Sequence, residues 1–263
     1  MAEDRDDLFA QRGDVASFSF DAAVARVFPD MIRRSVPGYD AQLHVVSAVA
    51  RHYATAGARL YDLGCSLGGA TLALIRGLTV AGCEIVGVDN SPAMLERARA
   101  VVAAQGAVAG QGAVAAPSEA SAEGGDSPSV RVSFVEADLA DYTLSDACVV
   151  VFNYTLQFLP IEQRLGVLRR IRAGMATGGA LVLAEKTTRE DPSEAALLEA
   201  LHLDFKRGNR YSELEIANKR TALERVLIAE TPRAHEQRLL AAGFREPRVV
   251  FQCLNFTTWL ARA

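Results

Sequence analysis

The feature that most constrains the fold of this chain is a short apolar run that leads through a glycine-rich turn into a helical pattern. Residues 59–63 read RLYDL, residues 64–69 read GCSLGG, and a helix is predicted from about Ala70. Glycines at such a turn let the backbone bend tightly and approach a ligand closely. This order predicts the first unit of an open α/β sheet, which binds its ligand at the carboxyl ends of its strands.

The rest of the chain repeats this alternation of β-branched runs and helical stretches. The run 147–153 is almost wholly apolar, as expected of a strand buried on both faces. Residues 249–253 and 256–260 lie too close together for a helical crossover, which predicts an antiparallel hairpin. The expected fold is Rossmann-like α/β, with a mostly parallel seven-stranded sheet and a C-terminal antiparallel hairpin. The other strands are predicted at residues 84–89, 130–136 and 180–185.

Three segments lie outside this alternation, within what we expect to be a single domain of residues 1–263. Residues 18–53 precede the first strand and are predicted to form a helical lid. Residues 191–240 are mostly amphipathic helix and are a candidate cap over the carboxyl ends of the strands. Residues 103–129 are rich in alanine, glycine and serine, which is typical of a flexible surface loop.

Composition argues against several classes of function. Half of the residues are hydrophobic and 23% are charged, a balance typical of a globular protein with a sizeable core. The net charge of -4 gives no general attraction to a polyanion, so direct nucleic-acid binding is not expected. No apolar run is long enough for a membrane span, and the cysteines and histidines show no metal-ligand spacing. The start of the chain is acidic and does not resemble a signal peptide, so we expect a cytoplasmic protein. The cysteine and histidine spacing predicts that it binds no metal.

The glycine spacing bears on the ligand. Only nonglycine residues lie between Gly64 and Gly68, so the turn lacks the G-x-G-x-x-G fingerprint that cradles a pyrophosphate, which disfavours an oxidoreductase. The form resembles the first motif of class I S-adenosyl-L-methionine (SAM)-dependent methyltransferases. Asp89 ends the second strand, where a carboxylate can accept two ribose hydroxyls, and Ser91 is the better N-cap for the next helix. Asp138 follows the third strand, where that family places its adenine contact.

Longer segments carry a closer resemblance. They resemble the carboxy-S-adenosyl-L-methionine synthase family from about residue 7 to residue 260, with a break only at residues 103–129. The glycine turn is shared by many methyltransferases, whereas VFPDMI-x-RSVPGY and YSELEI-x-x-KR are specific to this family. The segments are FDAAVARVFPDMIRRSVPGY (20–39), YDLGCSLGGATL (61–72), VDNSPAMLERAR (88–99), FNYTLQFL (152–159) and DFKRGNRYSELEIANKR (204–220).

The resemblance implies a class I methyltransferase fold that does not methylate. It joins SAM with prephenate, giving carboxy-SAM and phenylpyruvate, and a partner enzyme uses carboxy-SAM to modify the wobble uridine of tRNA. In the mechanism that the resemblance implies, a sulfonium ylide attacks carbon dioxide released from prephenate, and the departing hydroxyl supplies the base. The protein then mainly provides proximity and a counter-charge. A homodimer is also implied.

The resemblance assigns residues to the ligand as well. It places Tyr39 against the ligand, Asn153 near the reactive centre and Arg220 on the carboxylate, so Tyr39 and Arg220 are the expected catalytic residues. The remaining contacts are Gly64, Cys65 and Ser66 to the amino acid and sulfonium, Asp89 and Asn90 to the ribose, and Asp138 and Leu139 to the adenine.

Two other functions stay open at this point. A conventional SAM-dependent small-molecule methyltransferase would share the fold and every SAM contact, but it would need no cation such as Arg220 facing the methyl group. A noncatalytic SAM-binding regulator would keep the glycine turn and Asp89, yet it would bind prephenate no better than other acids. For Arg220 itself the alternative is a solvated side chain in a surface ion pair. For Tyr154 and Phe158, ordinary core packing is the favoured interpretation.

Overall fold

The computed structural model describes residues 5–10, 18–104, 114–115, 129–224 and 226–263. Within these residues a single sheet crosses the molecule. Its strands are β1 (Arg59–Leu63), β2 (Cys83–Asp89), β3 (Val114–Ala115), β4 (Ser129–Glu136), β5 (Ala147–Asn153), β6 (Met175–Lys186), β7 (Arg245–Cys253) and β8 (Phe256–Arg262).

The strand order is β3-β4-β2-β1-β5-β6-β8-β7. The five central strands, from β4 to β6, are parallel to one another, and β8 is antiparallel to both β6 and β7. All seven predicted strands are therefore present, and the predicted Rossmann-like sheet with its C-terminal hairpin is confirmed. The order reverses on either side of β1, which makes the carboxyl end of β1 the switch point of the sheet.

The prediction of a loop over residues 103–129 is wrong in three places. The preceding helix continues to Ala104, Ser129 already belongs to β4, and the pair Val114–Ala115 forms β3. β3 runs antiparallel to β4, with Val114 opposite Val130. An edge strand leaves backbone donors and acceptors unpaired, and a short β-prone segment satisfies some of them. The rest of the predicted loop lies outside the described residues.

Helices cover both faces of the sheet. Several begin at side-chain caps: Asp21 accepts from the Val24 amide, Ser212 and Glu215 form a capping box, and Ser91 accepts from the Met94 amide as predicted. The helices are α1 (Ala22–Ser35), α2 (Tyr39–Tyr53), α3 (Gly69–Gly77), α4 (Pro92–Ala104), α5 (Ile161–Ala173), α6 (Pro192–Gly208), α7 (Glu213–Leu223) and α8 (Pro232–Ala241), with a 3-10 turn at Leu156–Phe158.

Strand β5 shows how the core is built on both faces. Val149 and Val151 point to the face covered by α2 and α3, whereas Val150 and Phe152 point to the face covered by α5 and α8. All four side chains are fully buried. Successive side chains of a strand alternate between faces, so a central strand must be apolar throughout. The apolar run in the sequence is thus explained by its place at the centre of the sheet.

The segments predicted to form a lid and a cap contain helices that pack beside the sheet as well as helices that lie over the cavity. From residues 18–53, α1 packs over the glycine turn against Leu67 and Met94, but α2 buries Val46 and Ala50 in the core beside the sheet. From residues 191–240, α8 likewise buries Leu239 in the opposite core. From these two segments, α1, α6 and α7 are the helices that lie over the carboxyl ends of the strands. No helix in the described ranges combines the length and apolarity that crossing a membrane requires.

We expect Gly77→Ala to lower the free energy of unfolding by about 1–3 kcal/mol, because an added methyl group would overlap the Ser47 carbonyl oxygen where α3 meets α2. The matched control is Gly166→Ala in α5, where the nearest heavy atom to the new methyl group is 3.8 Å away. That change should raise the free energy of unfolding by about 0.5–1 kcal/mol. Urea unfolding of both variants tests this, and equal effects would contradict the packing described between α2 and α3.

Candidate functional site

A cavity of about 1040 Å³ opens at the carboxyl ends of the central strands, under α1, α6 and α7. This size is at the upper end for a small-molecule site and leaves room for two ligands side by side. Nine of the ten residues expected to bind the ligand line it. They are Tyr39, Gly64, Cys65, Ser66, Asp89, Asn90, Asp138, Leu139 and Asn153.

The glycine turn is shaped by a close approach to β5 and by hydrogen bonds to β2, where the Gly64 and Cys65 amides donate to the Val88 carbonyl oxygen. Gly64 has a positive φ of 71°, and a Cβ atom at this position would overlap the Thr155 side chain at the end of β5. Two residues further, Ser66 also has a positive φ, and its amide donates to Asp89 Oδ2 at 2.8 Å. The turn after β1 is therefore held against the ends of both β5 and β2. Only glycine satisfies both the space and the backbone conformation at position 64.

Asp89 binds backbone amides of this turn and also lines the cavity. Its Oδ1 accepts from the Ser91 amide at 3.0 Å, so each carboxylate oxygen already holds one backbone donor. Burial raises the pKa of Asp89, and the backbone hydrogen bonds oppose that rise. An ionised carboxylate has further lone pairs for two more donors. Asp138 is similar but exposed: its Oδ1 accepts from the Ala140 amide at 2.8 Å.

Asp62 is a buried carboxylate that the sequence analysis did not identify. Its Oδ2 accepts from Thr71 Oγ1 at 2.7 Å, and its Oδ1 has no hydrogen-bond partner among the described residues. Burial raises the pKa of Asp62 to about 6. The signal was available, since an aspartate interrupts the apolar run of β1 directly before the glycine turn. A carboxylate oxygen buried without a donor at the wall of a cavity is suited to a cationic ligand group.

Aromatic side chains form the middle of the cavity. The rings of Tyr39 and Tyr154 are 6.4 Å apart, and Phe256 follows at 5.8 Å from Tyr154. Burial raises the pKa of both tyrosines above the usual range, so their hydroxyl groups remain protonated and can donate hydrogen bonds. The interpretation of Tyr154 and Phe158 as core residues is incomplete, because both also line the cavity. Beside them, Asn153 Oδ1 is buried without a hydrogen-bond partner in the described chain.

The far side of the cavity is cationic. Lys186 is the last residue of β6, Lys206 lies in the last turn of α6, and Lys219 lies on α7. All three line the cavity. His202, one turn before Lys206, also lines it, and its Nε2 contacts the Ser35 carbonyl oxygen at 2.8 Å. A carbonyl oxygen can only accept a hydrogen bond, so Nε2 carries a proton. Burial disfavours a second proton on Nδ1, so the imidazole ring is neutral. The sequence does not reveal this cluster of lysines and His202, because its members are up to 33 positions apart and follow no regular spacing.

Arg220, the tenth expected residue, lies outside the cavity lining in this structure. Its side chain is 68% exposed, and its Nη2 lies 3.4 Å from Glu199 Oε1. On a helix, adjacent residues point about 100° apart, so α7 turns Lys219 toward the cavity and Arg220 toward α6. Arg220 still lies near enough to lower the pKa of Lys186 and Lys206. It is therefore a residue of the cavity rim in this structure.

No cluster of three or more metal-ligating side chains occurs in the part of the chain that the structure describes. The cavity instead combines three kinds of wall. Carboxylates lie at the ends of β1 and β2, aromatic rings lie in the middle, and ammonium groups lie at the end of β6 and on α6 and α7. Arginines of α1, α3 and α4 also line the cavity, namely Arg26, Arg33, Arg76 and Arg97. Such an arrangement fits a ligand pair in which one molecule is cationic and the other anionic.

Comparison with known proteins agrees with the fold and specifies the family. Residues 61–183 match a family model described as a methyltransferase domain. The chain is 43% identical to the carboxy-S-adenosyl-L-methionine synthase of Citrifermentans bemidjiense over 262 residues, which is 99% of each chain. It is 45% identical to the enzyme of the same name from Pseudomonas aeruginosa, over 97% of this chain and 98% of that one. The chain belongs to the carboxy-S-adenosyl-L-methionine synthase family.

Solved structures place this carboxy-SAM synthase family member among class I methyltransferase folds. A putative O-methyltransferase from Nostoc punctiforme superposes with a TM-score of 0.57 at 15% identity, over 92% of this chain and 60% of that one. Human N-acetylserotonin methyltransferase, solved in complex with SAM, gives a TM-score of 0.56 at 16% identity, over 92% and 55% of the two chains. At this identity the similarity concerns the fold alone. This chain therefore combines a widely used methyltransferase sheet with the cationic wall described above.

The neutral state of His202 predicts a pH dependence. Burial lowers the pKa of His202 from 6.5 to about 3. Below pH 6.5 the unfolded chain binds a proton here that the folded chain does not, so stability is lost as the pH falls toward 3. The loss reaches up to about 1.4 kcal/mol per pH unit. His202→Gln keeps a donor for the Ser35 carbonyl oxygen but cannot titrate.

We therefore expect the free energy of unfolding of the wild type to fall more steeply than that of His202→Gln between about pH 6.5 and about pH 4.5. Above about pH 7.5 the two proteins should change in parallel, which serves as the internal control. Denaturant titrations across this range measure both slopes. Identical acid slopes would show that residue 202 takes up its proton equally in the folded and unfolded states.

Proposed function

We propose that this protein converts SAM and prephenate into carboxy-SAM and phenylpyruvate. The observation that carries the proposal is that one cavity collects nine of the ten residues that the family resemblance assigns to the ligand. The relatives at 43–46% identity that are named carboxy-SAM synthase support it over nearly the whole chain. The cavity is also larger than a single drug-sized ligand needs, and its charges suit a cation beside an anion.

We assign the SAM molecule to the side of the cavity near β1 and β2. The backbone of Gly64, Cys65 and Ser66 faces its amino acid and sulfonium, while Asp89 and Asn90 accept the ribose hydroxyls. Asp138 and Leu139 meet the adenine at the end of β4. The unpartnered Oδ1 of Asp62 is available to the ammonium group of SAM, because a buried carboxylate oxygen gains most from a charged donor. Tyr39 and Asn153 then face the sulfonium methyl group.

The reaction that follows needs little acid–base help from the protein. Loss of carbon dioxide and hydroxide aromatises prephenate to phenylpyruvate. Hydroxide takes a proton from the methyl group, which the adjacent sulfonium acidifies, and the resulting carbon nucleophile forms the new C–C bond to carbon dioxide. The products are carboxy-SAM, phenylpyruvate and water. Tyr39, Tyr154 and Phe256 enclose this step, and their rings limit the access of water to carbon dioxide and the carbon nucleophile.

Arg220 enters this proposal only with the product bound. SAM carries no carboxylate at its methyl group, so a cation there serves the carboxylate that is being formed. In the structure the guanidinium group pairs with Glu199 at the cavity rim. Its planar fork can hold a carboxylate bidentately once the side chain turns away from that partner. We propose that this exchange accompanies formation of carboxy-SAM.

The remaining parts of the proposal concern context. We propose that the carboxy-SAM passes to a second enzyme that modifies the wobble uridine of tRNA, and that this protein works as a homodimer in the cytoplasm. The family resemblance supports these assignments. The net charge of -4 agrees with a protein that hands over a small molecule and does not bind tRNA itself.

Mass spectrometry tests the activity directly. We expect the purified protein, incubated with SAM and prephenate, to form carboxy-SAM and phenylpyruvate in equal amounts, and to form neither when prephenate is omitted. A conventional methyltransferase would instead release S-adenosylhomocysteine with a methylated acceptor. A SAM-binding regulator would leave both substrates unchanged. Either of those results would exclude the proposed reaction.

Asp89→Ala should weaken SAM binding at least about tenfold, or about 1.4 kcal/mol, because a charged acceptor of two hydroxyl groups is lost. The ordering of the Ser66 amide is lost with it, which adds to the effect. Asp141→Ala is the matched control, since it removes an exposed carboxylate near the same sheet edge but outside the cavity lining. Calorimetry on folded protein measures both affinities. Unchanged SAM affinity in Asp89→Ala would remove Asp89 from the ribose site.

A further inference from the structure

Two lysines face the cavity without a counter-charge. Lys186 is fixed at the end of β6, where its backbone amide donates to Gln157 Oε1 at 3.0 Å, and Lys206 is fixed in the last turn of α6. Both side chains are half-buried at the cavity wall. Neither ammonium group has a hydrogen bond or an ion pair with any residue that the structure describes. Two cations are thus turned toward the same enclosed space.

Two unpaired ammonium groups at one cavity wall are unfavourable when no ligand is bound. Burial is the main reason why the pKa of Lys186 is lowered and that of Lys206 falls to about 7. Lys219 and Lys186 repel Lys206 and lower its pKa further. Buried charges are normally paired, so a pair of unpaired like charges at a cavity wall is a place where an anion relieves the strain.

The neighbouring charges do not supply that anion. Lys219 is already bound by Asp6 Oδ2 at 3.3 Å, Ser35 Oγ at 2.9 Å and the Tyr211 hydroxyl at 3.2 Å. Asp6 is itself fully buried there and so neutralises Lys219 rather than the other two lysines.

Glu199 is the one described carboxylate that raises the pKa of both Lys186 and Lys206, and it is engaged by Arg220 at 3.4 Å. The four charged groups around the two lysines therefore form two closed pairs, Asp6 with Lys219 and Glu199 with Arg220. No described carboxylate is left to pair with Lys186 and Lys206, so a bound anion is the partner that this wall can accept.

The position of the pair relates it to the reacting atoms. Asn153 at the end of β5 lies opposite Ala184 of β6, two residues before Lys186. Asp89 ends β2 and Asp138 follows β4, and both strands lie on the other side of β1 from β5 and β6. A molecule held by Lys186 and Lys206 therefore lies next to Asn153 and across the sheet edge from the adenosine contacts. This is where the co-substrate of SAM has to lie to reach the sulfonium methyl group.

We propose that Lys186 and Lys206 form a carboxylate site for the 2-oxo acid side chain of the co-substrate, the carboxylate that phenylpyruvate retains. This inference deepens the proposed function and rests on it for the identity of the acid. The ring carboxylate of prephenate leaves as carbon dioxide and loses its charge on the way to the transition state. A cation paired with it would stabilise the substrate more than the transition state and would slow the reaction. The side-chain carboxylate keeps its charge throughout.

Because that charge is constant, the site should contribute uniform binding. Removal of either lysine should raise the KM for prephenate and leave kcat nearly unchanged. The same carboxylate persists in phenylpyruvate, so the product should bind at the two lysines even when no reaction takes place. This separates the site from the activity, since phenylpyruvate binding does not depend on turnover.

The experiment compares Lys186→Met, Lys206→Met and Arg207→Met. Arg207 is the matched control: it is the next residue of α6, it also carries one positive charge, and it is exposed, paired with Asp204 and Glu213 outside the cavity lining. Calorimetry with phenylpyruvate on SAM-saturated protein should show affinity reduced at least about tenfold in each lysine variant, and within about twofold of the wild type in Arg207→Met. Lys206→Arg should retain most of the affinity, because it keeps the charge.

Steady-state kinetics gives the second measurement. The lysine variants should show a KM for prephenate raised at least about tenfold, with kcat within about threefold and the KM for SAM unchanged. Lys→Gln variants at both positions repeat the test if a Met variant proves unfolded by thermal melting. Wild-type phenylpyruvate affinity in the lysine variants, or a loss of kcat at constant KM, would overturn this site. A wild type that binds phenylpyruvate through the lysines but makes no carboxy-SAM would support the site and overturn the proposed function.

Discussion

The glycine turn after β1 packs directly against the ends of β2 and β5. The shape of the cavity depends on this contact between three strand ends. Gly64 leaves no space for a side chain against Thr155, and the Ser66 amide is bound by the Asp89 carboxylate. A side chain at position 64 would push β1 away from β5. Loss of the carboxylate would leave the turn bound to β2 only through the Gly64 and Cys65 amides, which donate to the Val88 carbonyl oxygen. Asp62, Asp89, Asn153 and Tyr154 lie at these three strand ends, whereas Tyr39 begins α2 and Phe256 begins β8. Their mutual positions follow from backbone packing before any ligand enters.

The cavity that results is polarised along the sheet. Asp62 and Asp89 lie on the β1 and β2 side, while Lys186 and Lys206 lie beyond β5. In the proposed reaction, SAM brings an ammonium and a sulfonium group and prephenate brings two carboxylates, so each substrate would meet side chains of opposite charge. The two also attract each other across the aromatic middle, where the medium is poor in water and charge interactions are strong. The wall charges therefore favour one orientation of the pair, with the sulfonium turned toward the acid.

The sheet, the glycine turn and Asp89 could be predicted from local patterns, whereas Tyr39, Cys65, Asn90, Leu139 and Asn153 were expected from the family resemblance. Apolar runs mark the strands, and Gly64 and Asp89 stand at strand ends whose order along the chain fixes where they meet. The cationic wall could not be predicted in this way. Lys186 and Lys206 come from different elements, and their shared direction depends on how α6 crosses the ends of the strands. For Arg220 the resemblance named the residue, but the rotation of α7 that points it at Glu199 is a tertiary property.

The buried contact between Asp6 and Lys219 joins residues 213 positions apart. During synthesis on the ribosome, Asp6 emerges long before its partner, while the strands that carry the glycine turn can already pair. The SAM side of the cavity is therefore complete in a shorter nascent chain than the lysine side. Contacts that close the longest loops form late, because the entropy of closure is lost before the contact is gained. The corner around this contact is then expected to open at a lower free-energy cost than the central strands of the sheet.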